Sequence, residues 1–231
     1  MSKYKQKAGA PLWVSQNFLT SQKTIRRLIR KTSIGANDHV VEIGPGKGHI
    51  TRVLLEFCGT LSAVEMDKGL HNKLAAKHGG APNLRLYHQD FLKWNLPKRG
   101  DYKVFANIPF NCTSDILTKL TESANPPSEA WLVMEKGAAK RFMGRPRESL
   151  RSLLLKPKFD IGIDYYFRRE DFHPKPGVDV VLVHLRRKAV WDVSKGQWRD
   201  YVDFVRNVCE TSTGDILYIQ WLCLFRRGLL F

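Results

Sequence analysis

Between residues 39 and 134 the sequence alternates short apolar runs with stretches of helical periodicity, and this alternation restricts the fold more than any other feature. The runs have the length and composition of buried strands, and they occupy residues 39–43, 61–64, 84–87, 102–106 and 130–134. Apolar residues at helical spacing, such as Ile50, Val53 and Leu54, lie between them. The pattern predicts an α/β fold: an open, mostly parallel sheet with helices on both faces.

The alternation also suggests how the chain is organised. Residues 1–14 read as a basic, flexible arm, and residues 15–188 as the α/β domain. Residues 189–231 form a short C-terminal segment that begins with helical spacing and ends in the apolar stretch 216–225. That stretch is about half the length needed to span a bilayer, and the first residues lack the apolar core of a signal peptide. We therefore expect a soluble, cytoplasmic protein that acts as a monomer.

The charge and the cysteine content indicate which partners and ligands to expect. The chain carries 38 Lys and Arg residues against 22 Asp and Glu, a formal charge of +16 with pI ≈ 9.9. Such a surplus favours a polyanionic partner, usually nucleic acid. A surplus that serves solubility alone is the alternative, and no basic amphipathic helix points to a membrane. The four cysteines form no CxxC pair and no zinc-ligand spacing, so we expect reduced thiols and no metal.

A glycine turn follows the first predicted strand. Gly44, Gly46 and Gly48 permit a tight strand-to-helix bend and a close backbone approach to a ligand. Their G-x-G-x-G spacing differs from the G-x-G-x-x-G of dinucleotide enzymes. Glu65 closes the second strand, next to Met66, and is placed to accept hydrogen bonds from two ribose hydroxyls. An acidic residue there suits NAD as well as S-adenosylmethionine, and a solvated carboxylate is the alternative.

Asp90 and Phe91 follow the third strand, where the carboxylate would accept a hydrogen bond from an adenine amine and the ring would cover the base. Taken alone, Asp90 is as consistent with a turn or cap residue. The fourth strand ends in a more specific tetrapeptide, Asn107-Ile108-Pro109-Phe110.

This tetrapeptide can activate an exocyclic amine. The nitrogen of such an amine is a poor nucleophile because its lone pair is conjugated into the ring. Acceptance of its two hydrogens by the Asn107 side-chain oxygen and the Ile108 carbonyl would free that lone pair. Pro109 fixes the turn, and Phe110 offers a face on which a flipped base stacks. With the glycine turn, the tetrapeptide predicts methylation of a nucleobase amino group.

Two further segments are candidate RNA contacts. Lys136, Lys140 and Arg141 fall on one side of a predicted helix, with more arginines following, and as a group they resemble a phosphate track. For any single one of them, a solvated helical face is the simpler interpretation. Phe172 and Lys175 lie in the stiff loop Phe172-His173-Pro174-Lys175-Pro176. Phe172 would either close the base pocket or anchor the loop in the core.

These residues together resemble the erythromycin-resistance (Erm) rRNA adenine methyltransferases over about residues 15–188. The segments that carry the resemblance are Gln16-Asn17-Phe18-Leu19, 42–48, Glu65, Gln89-Asp90, 107–110, 133–142 and 172–176. The resemblance implies a Rossmann-like methyltransferase fold with a mostly parallel seven-stranded sheet. It also implies S-adenosylmethionine as the methyl donor.

The same resemblance implies a substrate and roles for particular residues. The substrate would be one adenine of large-subunit (23S) rRNA, methylated once or twice at N6, which in that family blocks macrolide, lincosamide and streptogramin B binding. Gln16, Asn17 and Leu19 would border the cofactor, and Gly44 and Gly46 would contact it through their backbone. Cofactor contacts are also implied for the remaining members of the set: Glu65, Met66, Asp90, Phe91 and Asn107.

Other readings remain open at this point. The small-subunit rRNA dimethyladenosine transferases usually have Leu and Tyr where this chain has Ile108 and Phe110. Residues 189–231 are shorter than the helical RNA-binding domain that normally follows in the Erm family, so a vestigial rRNA-binding protein without turnover is a second alternative. An NAD-dependent enzyme is disfavoured by the glycine spacing.

Overall fold

The computed structural model describes residues 17–211, and a seven-stranded sheet is the centre of this part of the chain. The strands lie in the order β4-β3-β2-β5-β6-β9-β7. Their bounds are β2 His39–Ile43, β3 Thr60–Glu65, β4 Leu84–His88, β5 Lys103–Asn107, β6 Glu129–Glu135, β7 Phe159–Tyr166 and β9 Val180–Arg187. The first five strands in this order, from β4 to β6, are parallel to one another. β9 pairs antiparallel with both β6 and β7. The predicted α/β class and mostly parallel sheet are confirmed.

A second, two-stranded sheet joins the start of the described chain to a loop near its end. β1 (Phe18–Leu19) pairs antiparallel with β8 (Phe172–His173), and Leu19 is opposite Phe172. The segment before the first helix therefore lies at the edge of the main sheet at which β5 ends. There, Asn107 Nδ2 donates to the Asn17 carbonyl at 2.8 Å.

Helices cover both faces of the main sheet. They are α1 Gln22–Ile29, α2 His49–Phe57, α3 Lys68–His78, α4 Thr113–Glu122, α5 Lys136–Phe142, α6 Leu150–Leu155 and α7 Trp198–Thr211. Alternate side chains of the strands enter two separate cores, as the period of a strand requires. Val41 and Val104 pack with α4 and α5, whereas Val40 and Phe105 pack with α1 and α2. No helix among the described residues is long and apolar enough to cross a membrane.

The first helix ends earlier than its sequence suggests, since the sequence predicts a helix that is capped near Thr20 or Ser21 and stops at Gly35. Ser21 caps it as expected and accepts from the Thr24 N–H at 3.4 Å, but α1 stops at Ile29 instead of continuing to a stop at Gly35. The Thr32 hydroxyl donates to the Ile29 carbonyl at 2.6 Å, so a side chain satisfies a carbonyl that a longer helix would use. The stop predicted at Gly35 was therefore wrong.

The last described helix agrees with the apolar spacing noted after residue 188. α7 packs on α6 through Tyr201 and Val205, and the Tyr201 hydroxyl donates to the Leu153 carbonyl at 2.6 Å. The basic arm 1–14, Gln16 and the apolar stretch 216–225 lie outside the described residues.

Candidate active site

The parallel strands bring the predicted polar residues to one edge of the sheet. Gly44 follows β2, Glu65 ends β3, Asp90 follows β4 and Asn107 ends β5. Backbone hydrogen bonds tie these ends together: the Gly44 N–H donates to the Val64 carbonyl, and the Gln89 N–H donates to the Glu65 carbonyl, each at 3.0 Å. Ligands of open α/β sheets bind at this carboxyl edge, so the edge is the place to look for a site.

A cavity of about 310 Å³ opens at this edge. Its walls are mainly apolar, with carboxylates at a few positions, which is the usual make-up of a small-molecule pocket. The lining residues are Ile43, Gly44, Val64, Glu65, Met66, Asp67, Lys68, Asp90, Phe91, Leu92, Pro109, Cys112 and Ile116. Five predicted cofactor contacts are therefore brought together in one cavity: Gly44, Glu65, Met66, Asp90 and Phe91.

Glu65 is the most firmly held of these residues. Its side chain is buried, Oε2 accepts from the Gly46 N–H and Oε1 accepts from the Asp67 N–H, both at 2.9 Å. Two backbone donors fix the carboxylate before any ligand arrives, and each oxygen retains a lone pair for a further donor. The arrangement suits a carboxylate that receives hydroxyl hydrogen bonds from a sugar.

The glycine turn has two different geometric requirements. Gly44 lines the cavity with φ +61°, and a Cβ there would meet nothing within 4 Å, so the left-handed backbone is what requires glycine. At Gly46 a Cβ would lie 2.6 Å from Phe18 Cε1, so glycine also permits close packing. Phe18 in turn lies under the Lys47 ammonium, 4.9 Å from the ring centroid.

Asp90 serves two purposes that the sequence offered as alternatives. Its Oδ1 accepts from the Leu92 N–H at 2.8 Å, which makes it a turn residue, and its side chain also lines the cavity. Phe91 is buried and packs on Trp94 with ring centroids 6.3 Å apart. The ring therefore contributes to the cavity wall as part of the core.

The tetrapeptide after β5 is built around backbone contacts. Ile108 has a buried side chain, and its N–H donates to the Val133 carbonyl at 3.2 Å. Pro109 lines the cavity and accepts the Cys112 N–H at 3.0 Å, which begins a short 3₁₀ turn, Phe110–Cys112. Phe110 is half-buried against the core on the α1 side, so part of its ring is accessible.

Asn107 is oriented by its partner. A carbonyl can only accept, so the nitrogen of the Asn107 amide must be the atom that faces the Asn17 carbonyl. Oδ1 is then the acceptor of this side chain, without a donor among residues 17–211, at the end of the strand that leads into the Pro109 wall of the cavity. This is the atom that the proposed chemistry requires.

Four predicted cofactor contacts are not among the residues that line the cavity: Asn17, Leu19, Gly46 and Asn107. Leu19 is 2% exposed and packs in the core, outside the residues that line the cavity. Phe172 is 3% exposed and makes an edge-to-face contact with Phe167 at 5.3 Å. Burial of the ring favours the alternative, an anchor for the loop, and a role of Phe172 in closing the base pocket stays a prediction.

The basic residues are less uniform than a single helical track. Lys140 and Arg141 are exposed on α5, whereas Lys136 pairs with Asp179 at 3.1 Å. Lys175 pairs with Glu170 at 3.5 Å in an exposed loop. Because α5 ends at Phe142, the arginines that follow lie in a turn and in α6 instead of extending the same helix.

Sequence reasoning assigned no role to Glu42, which the structure buries completely. It lies in β2, with Thr51 and Glu65 as its polar neighbours, and neither carboxyl oxygen has a hydrogen bond within residues 17–211. Burial raises its pKa to about 8, so the carboxyl is protonated at neutral pH. A carboxylate within an otherwise apolar strand was the available signal. Cys112, Leu92 and Ile116 line the cavity without a comparable signal.

Comparison with known proteins identifies the family of this chain. A family model described as "Ribosomal RNA adenine dimethylase" matches residues 13–216. The chain belongs to the ribosomal RNA adenine dimethylase family. The predicted enzyme class, an S-adenosylmethionine-dependent rRNA adenine N6-methyltransferase, and the resemblance to the Erm enzymes are confirmed.

Individual relatives cover most of the chain. An rRNA adenine N-6-methyltransferase of Limosilactobacillus reuteri is 35% identical over 191 residues, which are 83% of this chain and 77% of the relative. One from Staphylococcus aureus (strain Mu50 / ATCC 700699) is 36% identical with the same two coverages.

Solved structures give the same picture. The 23S rRNA methyltransferase ErmE matches with a TM-score of 0.76 and 28% identity, over 82% of this chain and 78% of that one. A dimethyladenosine transferase from Plasmodium falciparum matches with a TM-score of 0.67 and 27% identity, over 74% of this chain and 63% of the other.

Proposed function

We propose that this enzyme methylates N6 of a single adenine in large-subunit rRNA, once or twice, and that the modification confers macrolide, lincosamide and streptogramin B resistance. We place the reaction in the cytoplasm and assign it to a monomer. The observation that carries the proposal is the Asn107–Asn17 hydrogen bond, because it leaves Asn107 Oδ1 as an acceptor two residues before Pro109, which lines the cavity. The greater similarity to ErmE than to the dimethyladenosine transferase supports the large subunit.

The cavity fits S-adenosylmethionine by its donor and acceptor chemistry. Glu65, already held by two backbone donors, would accept the ribose hydroxyls, and Asp90 would accept the adenine amine. Met66 and Phe91 supply apolar walls, and the backbone at Gly44 lies open to the cavity. When bound, S-adenosylmethionine supplies an electrophilic methyl group on its sulfonium.

The residues after β5 would prepare the target amine. Asn107 Oδ1 and the Ile108 carbonyl accept its two hydrogens, which moves the nitrogen toward sp³ geometry and exposes its lone pair. Phe110 stacks on the flipped base and Pro109 holds the turn. These groups act by position and by electrostatics, so no strong general base is needed.

Further RNA contacts would come from basic residues near the site and from the C-terminal segment. Exposed Lys140 and Arg141 on α5 would bind phosphates, and the segment 189–231 would extend the RNA-binding surface beyond the catalytic domain 15–188. Lys136 and Lys175 would contribute once their ion pairs with Asp179 and Glu170 open.

An Asn107→Ala variant tests the mechanism. We expect methyl transfer from labelled S-adenosylmethionine to fall by at least about 100-fold, because the main acceptor for the amine is lost. Affinity for rRNA should stay within about twofold of the wild type. The measurement is label incorporation into protein-free large-subunit and small-subunit rRNA in parallel, with mass spectrometry of the nucleosides.

Each outcome of that assay assigns a function. Methyladenine in the large subunit alone supports the proposal. Label in the small subunit alone would move the enzyme to the dimethyladenosine transferases, which the Plasmodium falciparum match makes the second candidate. RNA and cofactor binding without any label would favour a binding protein that has lost turnover.

A further inference from the structure

Tyr166 lies at the same edge of the sheet as the candidate active site. It is the last residue of β7 and pairs with Val181 of β9, which pairs with Met134 of β6. β6 in turn pairs with β5, the strand that ends in Asn107. Three strand spacings separate β7 from β5, which places Tyr166 about 14 Å from Asn107 across the sheet.

A β-bulge decides which way this tyrosine points. Ile163 pairs with Val183 and Tyr165 with Leu182, so Asp164 is an extra residue in β7. After the bulge, Tyr165 lies on the α1 side, where its hydroxyl accepts from Arg27 at 2.6 Å. Tyr166 therefore lies on the opposite side of the sheet, the side that α5 covers.

The ring of Tyr166 is exposed among cations. The residue is 59% exposed, so its ring contributes little to the core. Lys136 at the start of α5 holds its ammonium 5.7 Å from the ring centroid and is itself positioned by Asp179. Arg168 and Arg169 follow Tyr166 in the chain and are exposed. An apolar protein partner would meet charged groups here, whereas a nucleotide offers a base for the ring and a phosphate for the cations.

We propose that Tyr166 is a stacking platform for an unpaired base that flanks the target adenine. The inference rests on the proposed function, since it assumes that the RNA lies along the carboxyl edge of the sheet. It adds a contact beyond Phe110: one aromatic ring receives the flipped base, and a second, three strands away, holds a neighbouring nucleotide. Because every base has an aromatic face, the contact contributes affinity with little dependence on base identity.

Substitutions at Tyr166 test the platform. Tyr166→Ala should weaken binding to protein-free large-subunit rRNA and raise KM for it by about fivefold to a hundredfold, with kcat and the Kd for S-adenosylmethionine unchanged. Tyr166→Phe should behave as the wild type. Tyr166→Leu should behave as the alanine variant, because it keeps an apolar surface without an aromatic face.

A matched control removes another exposed apolar side chain. Val190 is 81% exposed and follows β9 at the opposite edge of the sheet, so Val190→Ala should leave RNA affinity unchanged. RNA affinity within twofold of the wild type for Tyr166→Ala would overturn the platform, as would wild-type affinity for Tyr166→Leu.

Abasic nucleotides locate the contact. With wild-type enzyme, one abasic substitution near the methylated adenine should weaken binding as much as Tyr166→Ala does, and the variant should be insensitive to the same substitution. If no abasic position shows this loss, the platform is wrong even though methylation proceeds. If the wild type binds RNA and transfers no methyl group, the proposed function fails while the binding comparison still judges the platform.

Discussion

Glu42 and Glu65 are buried carboxyl groups on neighbouring strands, and their partners give them different properties. Glu65 accepts two backbone N–H groups, so it is held ready as an acceptor. Glu42 has no hydrogen bond within the described chain, and burial raises its pKa to about 8, with the charge of Glu65 adding to the effect. One carboxylate therefore faces the ligand cavity, and the other is a neutral group beneath the glycine turn.

Glu42 should make stability depend on pH. Because its pKa is higher in the folded chain than in the unfolded chain, the free energy of unfolding falls as pH rises from about 4.5 to about 8. The fall should be on the order of 3–5 kcal/mol, and Glu42→Gln should remove it. Urea denaturation of both proteins at pH 5 and pH 8 measures the difference.

The comparison between the two proteins isolates this one carboxyl group. Burial lowers the pKa of His39, His49 and His78, and these histidines are present in both proteins. Glu122→Gln, which removes an exposed carboxylate at the end of α4, is the matched control. If the free energy of unfolding depended on pH equally in wild type and Glu42→Gln, Glu42 would not have a raised pKa in the folded protein.

Among the elements, the small β1–β8 sheet links two distant parts of the chain at the active-site edge. Phe172 pairs with Leu19 across it, and Thr24 on α1 donates to Asp171 Oδ1 at 2.8 Å. The loop that precedes β9 is thus fixed to the start of α1. Phe172 holds the loop in this position by pairing with Leu19, and the same pairing places Asn17 beside Asn107.

Phe172→Ala should therefore act on stability first. We expect a loss of about 3–5 kcal/mol in the free energy of unfolding, as for other buried phenylalanines, whereas Phe172→Leu should lose much less. Denaturation by urea measures both. A stable Phe172→Ala protein with weakened RNA binding would restore the base-pocket role that the buried ring argues against.

The bounds of the helices and strands show which features can be predicted from the local sequence. The strand at 39–43 was predicted with the bounds that β2 has, and the others differ by one or two residues, because apolar runs between helical patterns leave few alternatives. The end of α1 was missed because one hydroxyl, that of Thr32, decides it. The pairing of Phe172 with Leu19 depends on residues 153 positions apart, and no local pattern encodes that contact.

For the whole molecule, the charge of +16 is the property that acts at long range. RNA affinity should fall steeply with salt, because each phosphate contact releases counterions. The exposed cations at the active-site edge, such as Lys140, should account for part of this dependence. The site residues themselves were predictable where a strand end carried a polar group, whereas the cavity walls at Cys112 and Ile116 depend on how α4 packs.

Lys140→Gln should weaken RNA binding at low salt. We expect the slope of log affinity against log salt to become shallower by about 0.7–0.9, the contribution of one phosphate contact. Filter binding at several salt concentrations measures it. Lys98→Gln, at an exposed lysine in the loop before β5 on the opposite edge, should leave the slope unchanged. An equal change in both variants would mean that charge acts without a defined track.

The bulge in β7 has an evolutionary consequence. Since Asp164 is the one residue without a counterpart in β9, the loss of a single codon there would restore regular alternation. Tyr165 would still pair with Leu182 and Tyr166 with Val181, so the Arg27 contact and the ring beside Lys136 would both be retained. In an alignment of relatives, a one-residue gap at this position is therefore compatible with the same two tyrosine contacts.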